Sequence, residues 1–228
     1  MKVIFCVPTL TKPYPQTLAS LEASVPLIQA AGWEEGMVSE VGCPYISSAR
    51  ATMLRKALDV LADVIVFIDH DVSWKPTDLL KLIETEGDVV AGTYRFKRDP
   101  EEYMGMVLTK PDDTPLVRPD GAILAHSAPA GFLKITKHAV NKFMTAYPEL
   151  TFGDKFHPSI DLFNHGAHKG VWYGEDYAFC RNWRNAGGSL VIVPDLDIAH
   201  HTATTAYPGN FHNFLRRQEG GDLYESKP

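Results

Sequence analysis

Two aspartates follow a run of five apolar residues in the first half of the chain. Residues 64–68 are all apolar, the pattern of a strand buried on both faces, and Asp69 and Asp71 come straight after them. In extended chain, residues i and i+2 point the same way, so the two carboxylates face one side. Like charges at that spacing favour a cation between them, which predicts a divalent-metal site that grips a diphosphate. The alternative is a pair of solvated loop carboxylates.

A second acidic pair, Glu175 and Asp176, opens a predicted helix at residues 175–186. Acidic residues in a first helical turn are favoured by the helix dipole, so a purely structural role is one interpretation. The other is a general base at a rigid helix start, aimed at a substrate hydroxyl. The helix terminus is expected to keep that carboxylate ionised.

His200 and His201 follow a predicted strand at residues 190–193. Neutral imidazole is a good ligand for Mn²⁺ and similar ions. An Asp, Asp, His ligand set leaves coordination positions open for phosphate oxygens. The alternative is a histidine that is hydrogen-bonded or exposed without a ligand role.

The sequence lacks the common phosphate-binding and hydrolytic motifs. We find no Gly-x-Gly-x-x-Gly after the first strand, no Walker lysine loop, no Gly-x-Ser-x-Gly and no His-Glu-x-x-His. Any bound phosphate must then be held by metal and arginine. Arg50, in the first turns of a predicted helix, is the candidate arginine; the alternative is an exposed helix arginine.

An alternating α/β pattern carries these residues. Strands are predicted at residues 3–7, 64–68 and 88–94, and helices at 17–31, 47–61 and 78–84. This order favours a parallel sheet covered by helices. The second half is mixed, with hairpin strands between residues 103 and 135, a helix at 137–146 and a loop at 152–170.

Composition excludes several classes of protein. The 228 residues are 45% hydrophobic and 22% charged, which excludes a disordered tail, a collagen-like repeat and a coiled coil. The net charge of −6 gives no electrostatic reason to bind nucleic acid or an anionic membrane. No apolar run approaches the ~20 residues of a membrane helix. Three scattered cysteines fit a reducing compartment, and residues 1–7 fit a first strand better than a signal peptide, so we expect a cytoplasmic protein.

Taken together, the motifs resemble the GT-A superfamily of nucleotide-sugar-dependent glycosyltransferases, and are most similar to its family 2-like group. The resemblance covers residues 1–202, in the family's order. The matching segments are residues 7–9 (Val-Pro-Thr), 46–50, 67–71 with the Asp-x-Asp pair, 88–95, 130–133, 174–181 and 198–200.

The resemblance implies a fold and a division of the chain. The fold would be a GT-A-like, Rossmann-type, mostly parallel sheet flanked by helices, with a smaller mixed or antiparallel acceptor-side portion. Residues 1–202 would form a single catalytic domain, with a nucleotide-binding half at 1–100 and an acceptor half at 101–202. Residues 203–228 would form a C-terminal tail or lid.

The resemblance also implies roles on the donor side. Pro8 and Thr9 would lie against the nucleobase, and Arg50 would contact base, ribose or phosphate. Asp69 would lie nearer the ribose and Asp71 on the metal, with both counted in the metal site. The ion would be Mn²⁺, with Mg²⁺ as the alternative.

The remaining implied roles fall on the metal shell and the acceptor side. His200 would complete the metal shell, and Gly131 would let the backbone approach the sugar or acceptor. Asp176, or else Glu175, would be the base for the acceptor hydroxyl. Trp172 would stack on a sugar face; the alternative is a packed loop tryptophan.

The leading functional hypothesis is therefore metal-dependent transfer of a sugar from a nucleoside-diphosphate sugar to an acceptor hydroxyl. A second hypothesis is nucleotidyl transfer to a sugar phosphate, but residues 9–16 hold only Lys12 and no glycine to bind a triphosphate. A third is a nucleotide- or carbohydrate-binding relative without turnover. The donor base, the sugar, the acceptor and the stereochemical outcome stay open.

Overall fold

A computed structural model describes residues 1–218 of the chain. The strands are β1 Lys2–Thr9, β2 Glu34–Val41, β3 Val64–Ile68, β4 Val72–Trp74, β5 Val89–Gly92, β6 Met106–Val107, β7 Ile123–Ser127, β8 Phe132–Thr136, β9 Thr151–Gly153, β10 Pro158–Ile160, β11 Gly166–His168, β12 Val171–Tyr173, β13 Leu190–Val193, β14 Asp197–His201 and β15 Ala206–Asn210. The helices are α1 Pro15–Ala30, α2 Ile46–Asp59, α3 Pro76–Glu84, α4 Lys137–Ala146, α5 Glu175–Asn185 and α6 Phe211–Gln218, with a 3₁₀ turn at Pro148–Leu150.

An eight-stranded sheet in the order β2-β1-β3-β8-β5-β13-β7-β6 forms the centre. Strands β2, β1 and β3 are parallel to one another, and so are β5 and β13. Strand β8 lies antiparallel between β3 and β5, and β7 is antiparallel to β13 and β6. The predicted α/β class with a mostly parallel, helix-flanked sheet is confirmed.

Strand β3 is buried on both faces because helices cover both sides of the sheet. Its Ile65 and Phe67 pack in one core with side chains of α2, α4 and α5, and Val66 packs in a second core with α1 and α3. Every residue of β3 is buried. The continuous apolar run therefore predicts the strand and its place at the centre of the sheet.

Local sequence signals explain where the helices begin. Helices α1 and α3 open with proline, whose missing N–H costs nothing at that position. Thr136 caps α4 by accepting the N–H of Ala139 at 3.1 Å. At α2 the structure differs from a serine-capped start, since Tyr45 is the N-cap residue and makes no side-chain cap bond.

A second, three-stranded sheet in the order β15-β14-β4 lies beside the main one. It pairs His200 with Val72, which places β14 alongside the segment that follows Asp69 and Asp71. The predicted tail begins inside this sheet, because β15 and α6 occupy residues 206–218. Phe211 and Phe214 of α6 pack against Tyr103. Residues 219–228 of that prediction lie outside the described residues.

Two further differences concern strands. Strand β2 is absent from the sequence prediction. Residues 152–170, predicted as loop, lie within a segment that forms the two small hairpins β9-β10 and β11-β12. Within residues 1–218, no helix combines the length and the apolar character needed to cross a bilayer.

Candidate active site

The candidate site lies where parallel strands β1 and β3 end, the edge at which open α/β sheets bind ligands. Strand β1 ends at Thr9 and β3 at Ile68, so residues 69–71 leave the sheet there. The Asp69 N–H donates to the Gly131 carbonyl at 2.9 Å. On the other side, the His70 carbonyl accepts the Thr17 hydroxyl at 2.9 Å. The turn is thereby fixed from two elements.

The carboxylate of Asp69 is held by two side chains. Arg50 Nη2 lies 3.0 Å from Oδ1, and the Tyr94 hydroxyl donates to Oδ2 at 3.1 Å. Both Asp69 and Tyr94 lie against the backbone of Gly131, where a Cβ atom would overlap the carboxylate and the hydroxyl. Gly131 is therefore required by this close approach.

Arg50 is buried, with 2% of its surface exposed, so it is not the exposed helix arginine of the alternative interpretation. Its Nη1 pairs with Glu175 Oε1 at 2.8 Å while Nη2 holds Asp69, and Phe163 stacks under the guanidinium at 5.0 Å. Burial lowers the pKa of Arg50, but the charges of Asp69 and Glu175 outweigh it and raise the pKa. Arg50 thus ties the first acidic motif to the second.

The carboxylate of Asp71 faces a different set of groups. Lys97 forms an ion pair with Oδ2, and His200 Nε2 lies 3.6 Å from Oδ1. Burial raises the pKa of Asp71, yet the hydrogen bonds and charges of His200 and Lys97 outweigh it and hold the pKa well below its usual range. Asp71 is therefore an ionised, half-enclosed carboxylate.

The orientation of His200 suits a metal ligand. Its Nδ1 lies 2.8 Å from the Arg95 carbonyl, which can only accept, so the proton sits on Nδ1. Nε2 faces Asp71 Oδ1, to which it donates when it carries a proton, and it becomes a metal ligand when a cation replaces that proton. Metal-binding histidines are oriented by such a bond from the second ring nitrogen. The Tyr94 ring packs edge-on against the His200 ring at 4.9 Å and fixes its plane.

Asp71 and His200 together form a carboxylate–imidazole pair that fits Mn²⁺ or a similar ion. Asp69 points instead to Arg50 and Tyr94. Across residues 1–218, no group of three His, Cys, Asp or Glu side chains lies together as a metal site requires. The three-residue ligand set Asp69, Asp71 and His200 stays a prediction.

Asp176 differs electrostatically from its neighbour Glu175. Within the described chain it has no ion pair of its own, and its carboxylate accepts the N–H of Tyr177 at 2.8 Å. Burial, followed by the negative charge of Glu175, raises the pKa of Asp176 to about 6. The expected helix-terminus effect would lower this pKa, so the observed direction is the opposite; with a pKa of about 6 the group is mostly ionised at pH 7 and is more basic than an ordinary aspartate.

Three further residues predicted to contact substrate are Pro8, Thr9 and Trp172. Pro8 and Thr9 are buried at the end of β1, and the Thr9 carbonyl accepts the Gly42 N–H at 3.0 Å. Their contact with a nucleobase stays a prediction. Trp172 is 70% exposed, so it is not a packed loop tryptophan.

Five of the predicted residues belong to one connected group of side chains. The contacts run from Glu175 through Arg50 to Asp69, then through Tyr94 to His200 and Asp71. Sequence reasoning gave no role to Tyr94 or Lys97. The signal for Tyr94 was its position after the apolar strand at 89–92; nothing in the sequence pointed to Lys97.

Comparisons with known proteins add the following. No protein-family model and no curated protein matches the sequence. The crystal structure of GalNAc-T7 with UDP, GalNAc and Mn²⁺ matches 87% of this chain and 43% of its own, with 11% identity and a TM-score of 0.52. The S. aureus TarS structure matches 91% and 36%, with 12% identity and a TM-score of 0.46. The chain thus spans less than half the length of either protein.

At 11% identity the similarity to GalNAc-T7 is evidence for the fold alone. It agrees with the sheet and the helices described above. The chain has the GT-A fold, the fold of nucleotide-sugar-dependent glycosyltransferases.

Proposed function

We propose that the protein is a metal-dependent glycosyltransferase that moves a sugar from a nucleoside-diphosphate sugar to an acceptor hydroxyl. One observation carries the proposal: in a GT-A fold, Asp71 paired with His200 and Asp176 next to Glu175 belong to a single connected group at the ends of β1 and β3. That group offers both functions that the reaction needs, a place for a cation at the diphosphate and a carboxylate base.

On the donor side, Asp71 and His200 would hold the divalent ion, Mn²⁺ or else Mg²⁺. When bound, such an ion supplies positive charge to the departing diphosphate. The donor set is chemically suited to it, since His200 Nε2 and the ionised Asp71 carboxylate face each other 3.6 Å apart, and a cation would take the place of the proton between them. Asp69, with Gly131 beneath it, would lie toward the ribose, and Pro8 and Thr9 toward the base.

On the acceptor side, Asp176 is the better candidate for the base. The Glu175 carboxylate is already engaged by its ion pair with Arg50, 2.8 Å away. Asp176 lacks such a partner in residues 1–218, and its pKa of about 6 makes it the stronger base while it stays ionised at pH 7.

In the transfer step one bond forms at the anomeric carbon and one breaks. The acceptor oxygen forms a bond to the anomeric carbon of the sugar, the bond from that carbon to the diphosphate breaks, and the hydroxyl proton passes to Asp176. The nucleoside diphosphate leaves with the electron pair of the broken bond. The GalNAc-T7 structure, which was obtained with UDP, GalNAc and Mn²⁺, supports this type of donor and ion.

The test is a binding and turnover screen. Purified protein is heated with UDP-, GDP- and CDP-sugars, with and without Mn²⁺, because a true donor stabilises the fold by RT ln(1 + L/Kd), where L is the donor concentration. The best donor is then incubated with sugar acceptors and the nucleotide product is identified. Release of a nucleoside diphosphate supports the proposal, and release of pyrophosphate from a triphosphate and a sugar phosphate would favour nucleotidyl transfer.

A matched pair of variants links that result to the site. Asp71→Ala is expected to lose Mn²⁺-dependent donor binding, measured by calorimetry. Asp195→Ala removes a carboxylate that pairs with Lys81 outside the connected group, and it should bind donor normally. Unchanged Mn²⁺-dependent affinity in Asp71→Ala would contradict the proposed site, and binding without turnover on any acceptor would favour a non-catalytic relative.

A further inference from the structure

Lys97 occupies one face of the carboxylate that the proposed function assigns to the metal. Its ammonium forms an ion pair with Asp71 Oδ2, while His200 faces Oδ1 of the same group. The Asp71 side chain is 11% exposed and that of Lys97 32%, so the pair is enclosed mainly on the aspartate side. An ammonium and a divalent cation would compete for this one carboxylate.

The backbone that carries Lys97 is anchored to the same site. Phe96 N–H donates to the Glu102 carbonyl at 3.0 Å, and Met104 N–H donates to the Tyr94 carbonyl at 3.1 Å. The carbonyl of Arg95 accepts the His200 Nδ1 hydrogen. These bonds form a turn that fixes where the Lys97 side chain begins.

The Lys97 side chain is held at its charged end alone. It is a flexible four-carbon arm with one compact charge, and no described contact other than Asp71 holds its ammonium. By contrast, the other cation of the group is immobile, since buried Arg50 spans two carboxylates and stacks on Phe163. The two cations of the group therefore differ in kind.

We propose that Lys97 is an internal competitor of the divalent ion for Asp71, and that it leaves the carboxylate when ion and donor diphosphate arrive together. In the nucleotide-free protein the ammonium satisfies Asp71 and keeps the affinity for metal low. An incoming diphosphate offers Lys97 a new anionic partner within the same site, which frees the Asp71 carboxylate for the ion. This inference rests on the proposed function and adds to it a coupling between metal and donor binding.

The coupling has a measurable size. If only the fraction of molecules with Lys97 off Asp71 can bind metal, the observed Kd is the intrinsic value divided by that fraction. With about one molecule in ten open, removing Lys97 strengthens Mn²⁺ binding about tenfold. The same removal should weaken the dependence of Mn²⁺ affinity on added nucleotide.

The experiment titrates Mn²⁺ alone into the full, nucleotide-free chain, with free Mn²⁺ measured by electron paramagnetic resonance. Lys97→Met is compared with Arg98→Met. The control also removes one positive charge, at the neighbouring residue, but the Arg98 side chain pairs with Glu102 and not with Asp71. The control measures the long-range effect of the lost charge. Lys97→Arg, which keeps a cation that can hold Asp71, is the second variant and is expected to bind Mn²⁺ no better than the wild type.

Tighter Mn²⁺ binding in Lys97→Met than in Arg98→Met, with none of that gain in Lys97→Arg, is the expected result. Equal binding in Lys97→Met and Arg98→Met, or weaker binding in Lys97→Met, would overturn the competition while leaving the metal site of the proposed function intact. No Mn²⁺ binding by any of the four proteins would overturn both the competition and the metal dependence.

Discussion

At the scale of single residues, the most informative contrast is between Asp176 and Glu175. They are adjacent in sequence and both open α5, yet Arg50 neutralises Glu175 and leaves Asp176 with a main-chain N–H. Sequence alone could not choose between them. The choice depends on an arginine 125 positions away from Glu175 in the chain.

Asp176→Asn is expected to reduce turnover by about a hundredfold or more, since it removes the proton acceptor while keeping the shape. Donor affinity should stay normal. In the wild-type protein, kcat/KM should rise with pH through about 6, as the Asp176 carboxylate loses its proton. Steady-state kinetics across pH 5–8 check both points, and a near-normal rate in Asp176→Asn would remove the residue from the role of base.

The same substitution is expected to stabilise the fold at neutral pH. Because the folded pKa of Asp176 lies above that of the unfolded chain, the ionised group opposes folding at pH 7. The opposition fades as pH falls below 6 and is absent once both states are protonated, below about pH 4. Asp176→Asn should therefore raise the free energy of unfolding at pH 7 by up to about 3 kcal/mol, and by little at pH 4.

Glu175→Gln is the matched control for that stability measurement. It breaks the ion pair with Arg50, so it should lower stability at pH 7 instead of raising it. Urea unfolding of both variants at pH 7 and pH 4 gives the comparison. Destabilisation by Asp176→Asn at pH 7 would mean that burial of its charge is not the dominant effect.

At the scale of elements, the strands with a clear hydrophobic pattern could be predicted and those without one could not. Val64–Ile68 is apolar throughout, so both the strand and its abrupt end at Asp69 follow from the sequence. Strand β2, Glu34–Val41, is an edge strand with three glutamates and mostly half-exposed residues. Ala206–Asn210 holds a proline and a glycine, which oppose a strand by propensity.

The candidate site was predictable to the same extent. Asp69, Asp71 and His200 stand out because residue type and position after a strand are local properties. Their partners are distant in the sequence. Tyr94 and Arg50 hold Asp69, and Lys97 pairs with Asp71, because the fold brings these segments together. The sequence could therefore name the acidic groups but not the cations that neutralise them.

Strand β14 directs His200 but not His201 to the proposed metal site, because neighbouring residues of a strand face opposite sides. His201 Nε2 instead lies 2.7 Å from the Ser73 hydroxyl. His200→Ala is expected to weaken Mn²⁺ binding more than tenfold, while His201→Ala should change it little. Calorimetry with donor present distinguishes them, and equal losses would contradict the assignment of His200.

Strand β8 begins one residue after Gly131, whose missing side chain allows Asp69 and Tyr94 to pack against it. Gly131→Ala is expected to cost about 1 to 3 kcal/mol of stability and to abolish donor binding, since Asp69 must shift. Gly188→Ala creates a similar overlap with the Trp183 ring, before the start of β13, and should cost stability while keeping donor affinity. Thermal unfolding and donor titration of both variants separate strain from function.

At the scale of the whole molecule, Arg50 connects the first half of the chain to the second. It extends from α2, pairs with Asp69 after β3 and with Glu175 at the start of α5, and is almost fully buried. Arg50→Met should lower stability by about 3 kcal/mol because it leaves two carboxylates without their cation. Arg55→Met, on the same helix, loses a more exposed pair with Asp59 and should cost less than about 1 kcal/mol.

Arg50→Met should also change the pKa of Asp176. The positive charge of Arg50 lowers the pKa of Asp176, so its removal raises that pKa further. In Arg50→Met the acid limb of the kcat/KM profile is therefore expected to move to higher pH, whereas in Arg55→Met it should stay near 6. A double variant Arg50→Met/Glu175→Gln removes one of the two orphaned carboxylates and should recover part of the lost stability. An unmoved pH profile in Arg50→Met would mean that the two halves share a contact but no electrostatic coupling.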